Sequence, residues 1–158
     1  MPKKATLSRR QIVMGTLMLP LLGVQAAATR ELIEVWKSPT CGCCKDWISQ
    51  LEKEGFEVKT IMVSESAKTV QRAKLGMPEK FGSCHTALVK GYVLEGHVPG
   101  RDIRRLLTEK PRALGLAVPG MPVGSPGMDG PEYAGRKDPY RVLLVQRDGS
   151  STVFQAYS

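Results

Sequence analysis

Three cysteines fall within four positions, Cys41-Gly42-Cys43-Cys44, where an apolar run gives way to an amphipathic one. Leu32-Ile33-Glu34-Val35-Trp36 is β-branched and aromatic enough to be a buried strand. After the cysteines, Trp47, Ile48 and Leu51 recur at helical spacing, with Lys45, Asp46, Glu52, Lys53 and Glu54 on the other side. The thiols therefore belong to a strand-to-helix turn. Backbone N–H groups at a helix start lack intrahelical partners and the dipole is positive there, so a thiolate is stabilised. Nucleophilic and metal-binding chemistry both use that thiolate. A fourth cysteine, Cys84, makes the count even, which in an exported chain suggests two structural disulfides. The crowding argues otherwise, because adjacent cysteines point apart and a bridge across one residue closes too small a ring.

The rest of the chain reads as support for that turn. Gly55 caps the first helix, Phe56–Met62 is a second strand, and Ser64 caps a second helix running to about Leu75. That helix is expected to turn Ala67, Val70 and Ala73 inward. A loop then delivers Cys84-His85 to the strand Thr86–Val89, and Lys90-Gly91 turns the chain into a partner strand over Tyr92–Val98. A third helix is expected from about Arg101 to Thr108. The order β-α-β-α-β-β-α with a cysteine motif at the first strand-to-helix turn is the thioredoxin topology, so an α/β fold with a mixed sheet and flanking helices is predicted. The expected domain, residues 29–110, is followed by an extension, residues 111–158. Its stretch Val118–Pro131 is dense in Gly and Pro and cannot be helix or central strand. Tyr140–Val145 and Thr152–Tyr157, joined around Asp148-Gly149, form a terminal β-hairpin.

Residues 1–28 have the layout of an export signal: Lys3, Lys4, Arg9 and Arg10, then an apolar run from Ile12 to Val24, then Ala26-Ala27-Ala28. Ser8-Arg9-Arg10 also resembles part of a twin-arginine signal. The apolar run falls short of the roughly 20 residues of a spanning helix. A mature chain beginning near Thr29, free in the periplasm and without a membrane anchor, is the expectation. Losing four basic residues and no acidic ones lowers the formal charge from +8 to +4. No Lys/Arg run interleaved with aromatics points to nucleic acid.

The available soft and borderline ligands are Cys41, Cys43, Cys44, Cys84, His85, His97 and the loop methionines Met121 and Met128. Thiolate and thioether together select Cu(I), whereas zinc and iron–sulfur sites seldom use thioether. Four thiolates exceed what one Cu(I) needs, so sulfurs bridging more than one copper per chain are expected. Each candidate also has a structural reading. The methionines can fill gaps, His97 can be a hydrogen-bonded strand-end residue, and strand alternation aims at most one of Cys84 and His85 at the site. Trp36 and Trp47 are read as packing residues flanking it.

Cys41-Gly42-Cys43-Cys44, Cys84-His85-Thr86, Glu95-Gly96-His97-Val98-Pro99 and Val118-Pro119-Gly120-Met121-Pro122, followed by Gly124-Ser125-Pro126-Gly127-Met128, resemble the exported CopG copper-resistance proteins of Gram-negative bacteria. The resemblance spans essentially all of the chain after residue 28. It implies a thioredoxin-like domain, copper at a cysteine cluster and an extension that contributes to the metal site. Cys84-His85-Thr86 stands where a thioredoxin carries its cis-proline, which places a fourth sulfur beside the first three instead of a substrate-recognition residue. The leading reading is a periplasmic copper-binding protein of copper resistance that interconverts Cu(I) and Cu(II), with copper efflux or other periplasmic copper-handling proteins as partners. A thiol-disulfide oxidoreductase or metalloid reductase using Cys41 and Cys44 as its catalytic pair is the alternative. A copper chaperone without redox turnover is a third reading, and zinc or iron–sulfur binding a minor fourth.

Overall fold

The computed structural model describes residues 30–158, so the expected export signal lies outside the described residues. In chain order the elements are β1 (Leu32–Lys37), α1 (Gly42–Lys53), β2 (Glu57–Met62), α2 (Glu65–Lys74), β3 (His85–Val89), β4 (Tyr92–Gly96), α3 (Gly100–Glu109), β5 (Gly115–Val118), β6 (Tyr140–Val145) and β7 (Ser151–Tyr157). Short 3-10 turns occupy Glu79–Phe81 and Pro131–Tyr133. All seven strands form one sheet in the order β2-β1-β3-β4-β5-β6-β7. β1 pairs parallel with β2, across α1, and β4 parallel with β5, across α3, while the other pairs are antiparallel. The mixed α/β sheet, the flanking helices and the C-terminal hairpin are those predicted.

Local chemistry explains the punctuation. Gly55 (φ +92°) ends α1 in the left-handed conformation, with Gly55 N–H donating to Glu52 O and Phe56 N–H to Leu51 O, each at 3.0 Å. The paired bonds satisfy carbonyls of the last turn and bring Phe56 against Leu51, both buried. Ser64 caps α2 by accepting from Ala67 N–H. Lys90 and Gly91 both have positive φ, as the tight β3–β4 hairpin requires. The core gathers Ile33, Val35, Trp47, Leu51, Phe56, Leu94, Ile103, Leu106 and Leu116, with the Trp47 indole N–H donating to Val98 O at 2.8 Å. Burying each large apolar side chain is worth about 1.5–3 kcal/mol.

Two features differ from the sequence reading. β5 was not expected, because Gly115-Leu116-Ala117-Val118 is a short apolar run with no periodicity, and its last residue, Val118, opens the Gly/Pro stretch read as excluding a central strand, a reading that fails at that residue. It extends the sheet from residues assigned to the extension, and a Cβ on Gly115 would collide with the Val93 backbone. The second correction concerns α2. Ala67, Val70 and Ala73 face outward, with Val70 52% exposed, and Lys68 and Arg72 are buried instead. Two alanines and a valine offer little area to bury, whereas the two cations find oxygen acceptors inside.

The terminal hairpin is tied down by aromatic and polar contacts. Tyr140 stacks on Tyr157 with ring centroids 4.5 Å apart. The Tyr157 hydroxyl donates to Asp102 and accepts from Arg101 Nε, linking β7 to α3. Among the described residues, no helix is long and apolar enough to cross a membrane.

Candidate metal centre

The first part of the site is built by the β1–α1 turn. Cys41 occupies the N-cap position of α1, and its N–H donates to Ser38 O at 3.3 Å. Cys41 and Cys44 are joined in a disulfide, whereas Cys43 and Cys84 are free thiols. This bridge spans the C-x-x-C pair that the sequence reading singles out. Cys43 Sγ lies 3.6 Å from Cys41 Sγ. Cys44 is fully buried beside the core, one helical turn before Trp47.

The second part comes from the loop before β3 and from the end of β4. Cys84 Sγ lies 3.1 Å from His97 Nε2 and 3.4 Å from His85 Nδ1, and Cys44 Sγ is 3.8 Å from the Cys84 carbonyl oxygen. Cys84 precedes the first residue of β3, so it escapes the strand alternation that would aim it away from His85. His85 is fully buried, with its ring 4.1 Å from Trp47 and 5.4 Å from His97. Trp47 thus packs directly against the site. Gly96 (φ +72°) ends β4 with a sharp turn that brings His97 back toward Cys84.

Burial sets the protonation states. It holds His85 well below the usual imidazole range, with His97 adding to the effect, and lowers His97 to about 4 against the opposing charge of Asp129. Both imidazoles are therefore neutral near pH 7, the form that binds a metal. Burial, reinforced by the neighbouring Cys43 sulfur, pushes the Cys84 thiol up to about 12. His85 Nε2 and His97 Nδ1 are buried with no hydrogen-bond partner among the described residues, a cost of about 1–3 kcal/mol for each.

The donor atoms fall into two overlapping sets. Cys41, Cys43, Cys44 and Cys84 have ligand atoms all within 4.8 Å of one another, and so do Cys44, Cys84, His85 and His97. Cys44 and Cys84 belong to both. Once the Cys41–Cys44 bridge is reduced, four thiols adjoining two neutral imidazoles suit a soft or borderline ion, and shared sulfurs suit more than one.

The methionines lie in the Gly/Pro segment, which folds onto α1. A Cβ on Gly127 would come within 2.8 Å of Trp47 N, so only glycine allows this approach. Gln50 Nε2 donates to Asp129 Oδ1 at 2.9 Å across the same junction. Met128 Sδ accepts from the Tyr133 hydroxyl at 3.2 Å. Met121, 38% exposed, lines an open cleft of about 460 Å³ with Cys41, Cys84 and Lys68.

Sequence reasoning missed the polar groups behind Cys84. Lys68 Nζ donates to Cys84 O at 3.0 Å, and the fully buried Glu95 accepts from Ser83 N–H, Thr86 Oγ1 and Arg72 Nε. A signal existed: Glu95 is a lone charge in the apolar strand Tyr92-Val93-Leu94-Glu95.

A family model described as "Protein of unknown function, DUF411" matches residues 81–128, the segment that carries Cys84, both histidines and both loop methionines. No curated protein is significantly similar in sequence. Two solved structures are similar over 82% of this chain. "Copper resistance protein copG- Form 1" is 42% identical, with 98% of its own chain covered and a TM-score of 0.74. "Copper resistance protein copG- Form 2" is 43% identical, with 100% of its chain covered and a TM-score of 0.74. Such identity over nearly the full length of these relatives, with the cysteine cluster assembled in the fold, shows that the chain belongs to the CopG family of copper-resistance proteins.

Proposed function

We propose that the protein is a periplasmic copper-binding protein of copper resistance, which takes up more than one copper ion per chain and couples Cu(II)/Cu(I) interconversion to the Cys41–Cys44 pair. The observation that carries this reading is the pair of overlapping ligand sets sharing Cys44 and Cys84. Thiolates favour Cu(I), and imidazole serves copper in either state. In the reduced protein Cys41, Cys43, Cys44 and Cys84 are the core ligands, with His85 and His97 completing the second set and Met121 or Met128 supplying thioether from the covering segment.

The redox step balances on the dithiol. When Cys41 and Cys44 are reduced, their thiols give up two electrons and two protons as the S–S bond forms, and two Cu(II) ions become two Cu(I). The bridged state leaves Cys43, Cys84 and both imidazoles available to hold copper. Reversal needs an electron donor of the thiol or protein-dithiol class. Export through residues 1–28 would place this chemistry in the periplasm, where copper efflux and other copper-handling proteins are the natural partners.

The bridged Cys41–Cys44 pair is also what the alternative, a thiol-disulfide oxidoreductase or metalloid reductase, requires. Anaerobic titration of the fully reduced protein with Cu(II) separates the two readings. Two Cu(I) formed and retained for each pair of thiols lost is the expected result. Disulfide exchange with a dithiol substrate and no retained copper would support the alternative.

A further inference from the structure

Resting on that copper-site reading, we infer that Glu95, held by Arg72, is the positioning residue that turns Cys84, His85 and His97 toward one point. Consecutive residues of a strand face opposite ways, so Cys84-His85 can supply two convergent ligands only if the backbone around them is fixed in an irregular course. Glu95 provides the fixing. Its Oε1 accepts from Ser83 N–H at 2.6 Å, immediately before Cys84, and its Oε2 accepts from Thr86 Oγ1 at 2.6 Å, immediately after His85. One carboxylate thus grips both flanks of the ligand dipeptide.

The grip is itself anchored and closely fitted. Arg72 Nε donates to Glu95 Oε1 at 3.1 Å from α2, and both side chains are withdrawn from solvent. Lys68, one turn earlier on the same helix, donates to the Cys84 carbonyl oxygen at 3.0 Å, a second hold on the same peptide. Glycines make room: a Cβ on Gly82 would press on the Arg72 guanidinium, and one on Gly96 would meet Ser83 and Val118 O. Because Glu95 lies two residues before His97, the strand that carries the grip also delivers the third ligand. A salt bridge needed only for stability could sit anywhere in the core. In this one both carboxylate oxygens accept from the two residues that bracket Cys84-His85 and from the cation that holds it. Groups that orient metal ligands in this way typically affect metal affinity by about 10- to 100-fold when removed.

The test uses the full chain and two readouts, Cu(I) affinity and the ¹⁵N resonances of His97 in reduced, metal-free protein. The apolar double variant R72M/E95M leaves no unpaired buried charge and is expected to fold cooperatively. It should bind Cu(I) at the Cys84 and histidine set about 10- to 100-fold more weakly, and it should lose the His97 signature of the 3.1 Å contact with Cys84. E95Q, which keeps the shape and one acceptor oxygen, should restore most of both. If R72M/E95M does not fold, T86V removes one flank of the grip alone and should shift the same His97 resonances. A folded R72M/E95M, or in its place T86V, with wild-type His97 resonances and wild-type Cu(I) affinity would overturn the inference. Failure of the wild-type protein to retain copper would instead overturn the copper reading, and the metal-free resonances would still decide the role of Glu95.

Discussion

Helices α1 and α2 are alike in length and amphipathic in sequence, but they bury opposite chemistries. α1 turns Cys44, Trp47 and Leu51 inward, and α2 turns Lys68 and Arg72 inward. The first brings ligands to the site and rests on apolar area. The second brings no ligand, and its buried cations hold the backbone and the carboxylate behind Cys84. The contrast shows that half of this centre is secured by hydrophobic packing and half by matched buried polar groups, two kinds of support that should fail differently.

The comparison breaks most visibly at Trp47. Trp47→Ala removes the largest buried side chain under the thiols, along with its bond to Val98, and should cost about 3–5 kcal/mol in urea unfolding. A loss below about 1 kcal/mol would mean that α1 does not rest on packing. On the α2 side, Arg72→Met alone leaves the Glu95 carboxylate buried without its cation and should cost about 3 kcal/mol. The double change R72M/E95M should recover most of that stability, because the penalty belongs to the unpaired charge. Equal destabilisation by the single and double variants would show that the pair acts through shape alone.

Smaller effects sharpen the picture. Changing Met121 and Met128 together to leucine should cost less than about 1.5 kcal/mol while weakening Cu(I) binding in a competition titration. Unchanged affinity and stoichiometry would remove the covering segment from the ligand set. The smallest effect belongs to Val70→Ser on the outward face of α2, expected within about 0.5 kcal/mol of wild type. A loss of 2 kcal/mol or more there would reverse the corrected orientation of that helix.

How readily each part could be read from sequence follows the same division. The β1–α1 turn, the Gly55 cap and the terminal hairpin are encoded by neighbouring residues, so periodicity and turn chemistry reveal them. The convergence of Cys84 with the first three thiols is expected from the resemblance to thioredoxins, because Cys84-His85-Thr86 stands where they carry the cis-proline beside their active-site thiols. β5 escaped notice because four apolar residues carry no period, and its place depends on a partner strand far along the chain. The inward face of α2 was misjudged for a related reason. Alanine and valine score as apolar wherever they stand, whereas the burial of Arg72 depends on Glu95, and that of Lys68 on the Cys84 carbonyl as well as the neighbouring Glu65, and the first two of these acceptors are distant in sequence.

Copper per chain in Cys84→Ser and Cys43→Ser, compared with wild type after anaerobic reduction and Cu(I) loading, is the most direct test of a shared-sulfur centre. Cys84 belongs to both ligand sets and Cys43 to one. The wild type should therefore hold more than one copper, Cys43→Ser should lose part of it, and Cys84→Ser should weaken every step of the titration. Stoichiometric zinc with no copper in the wild type, or a Cys84→Ser protein that keeps its full complement of copper, would contradict this arrangement.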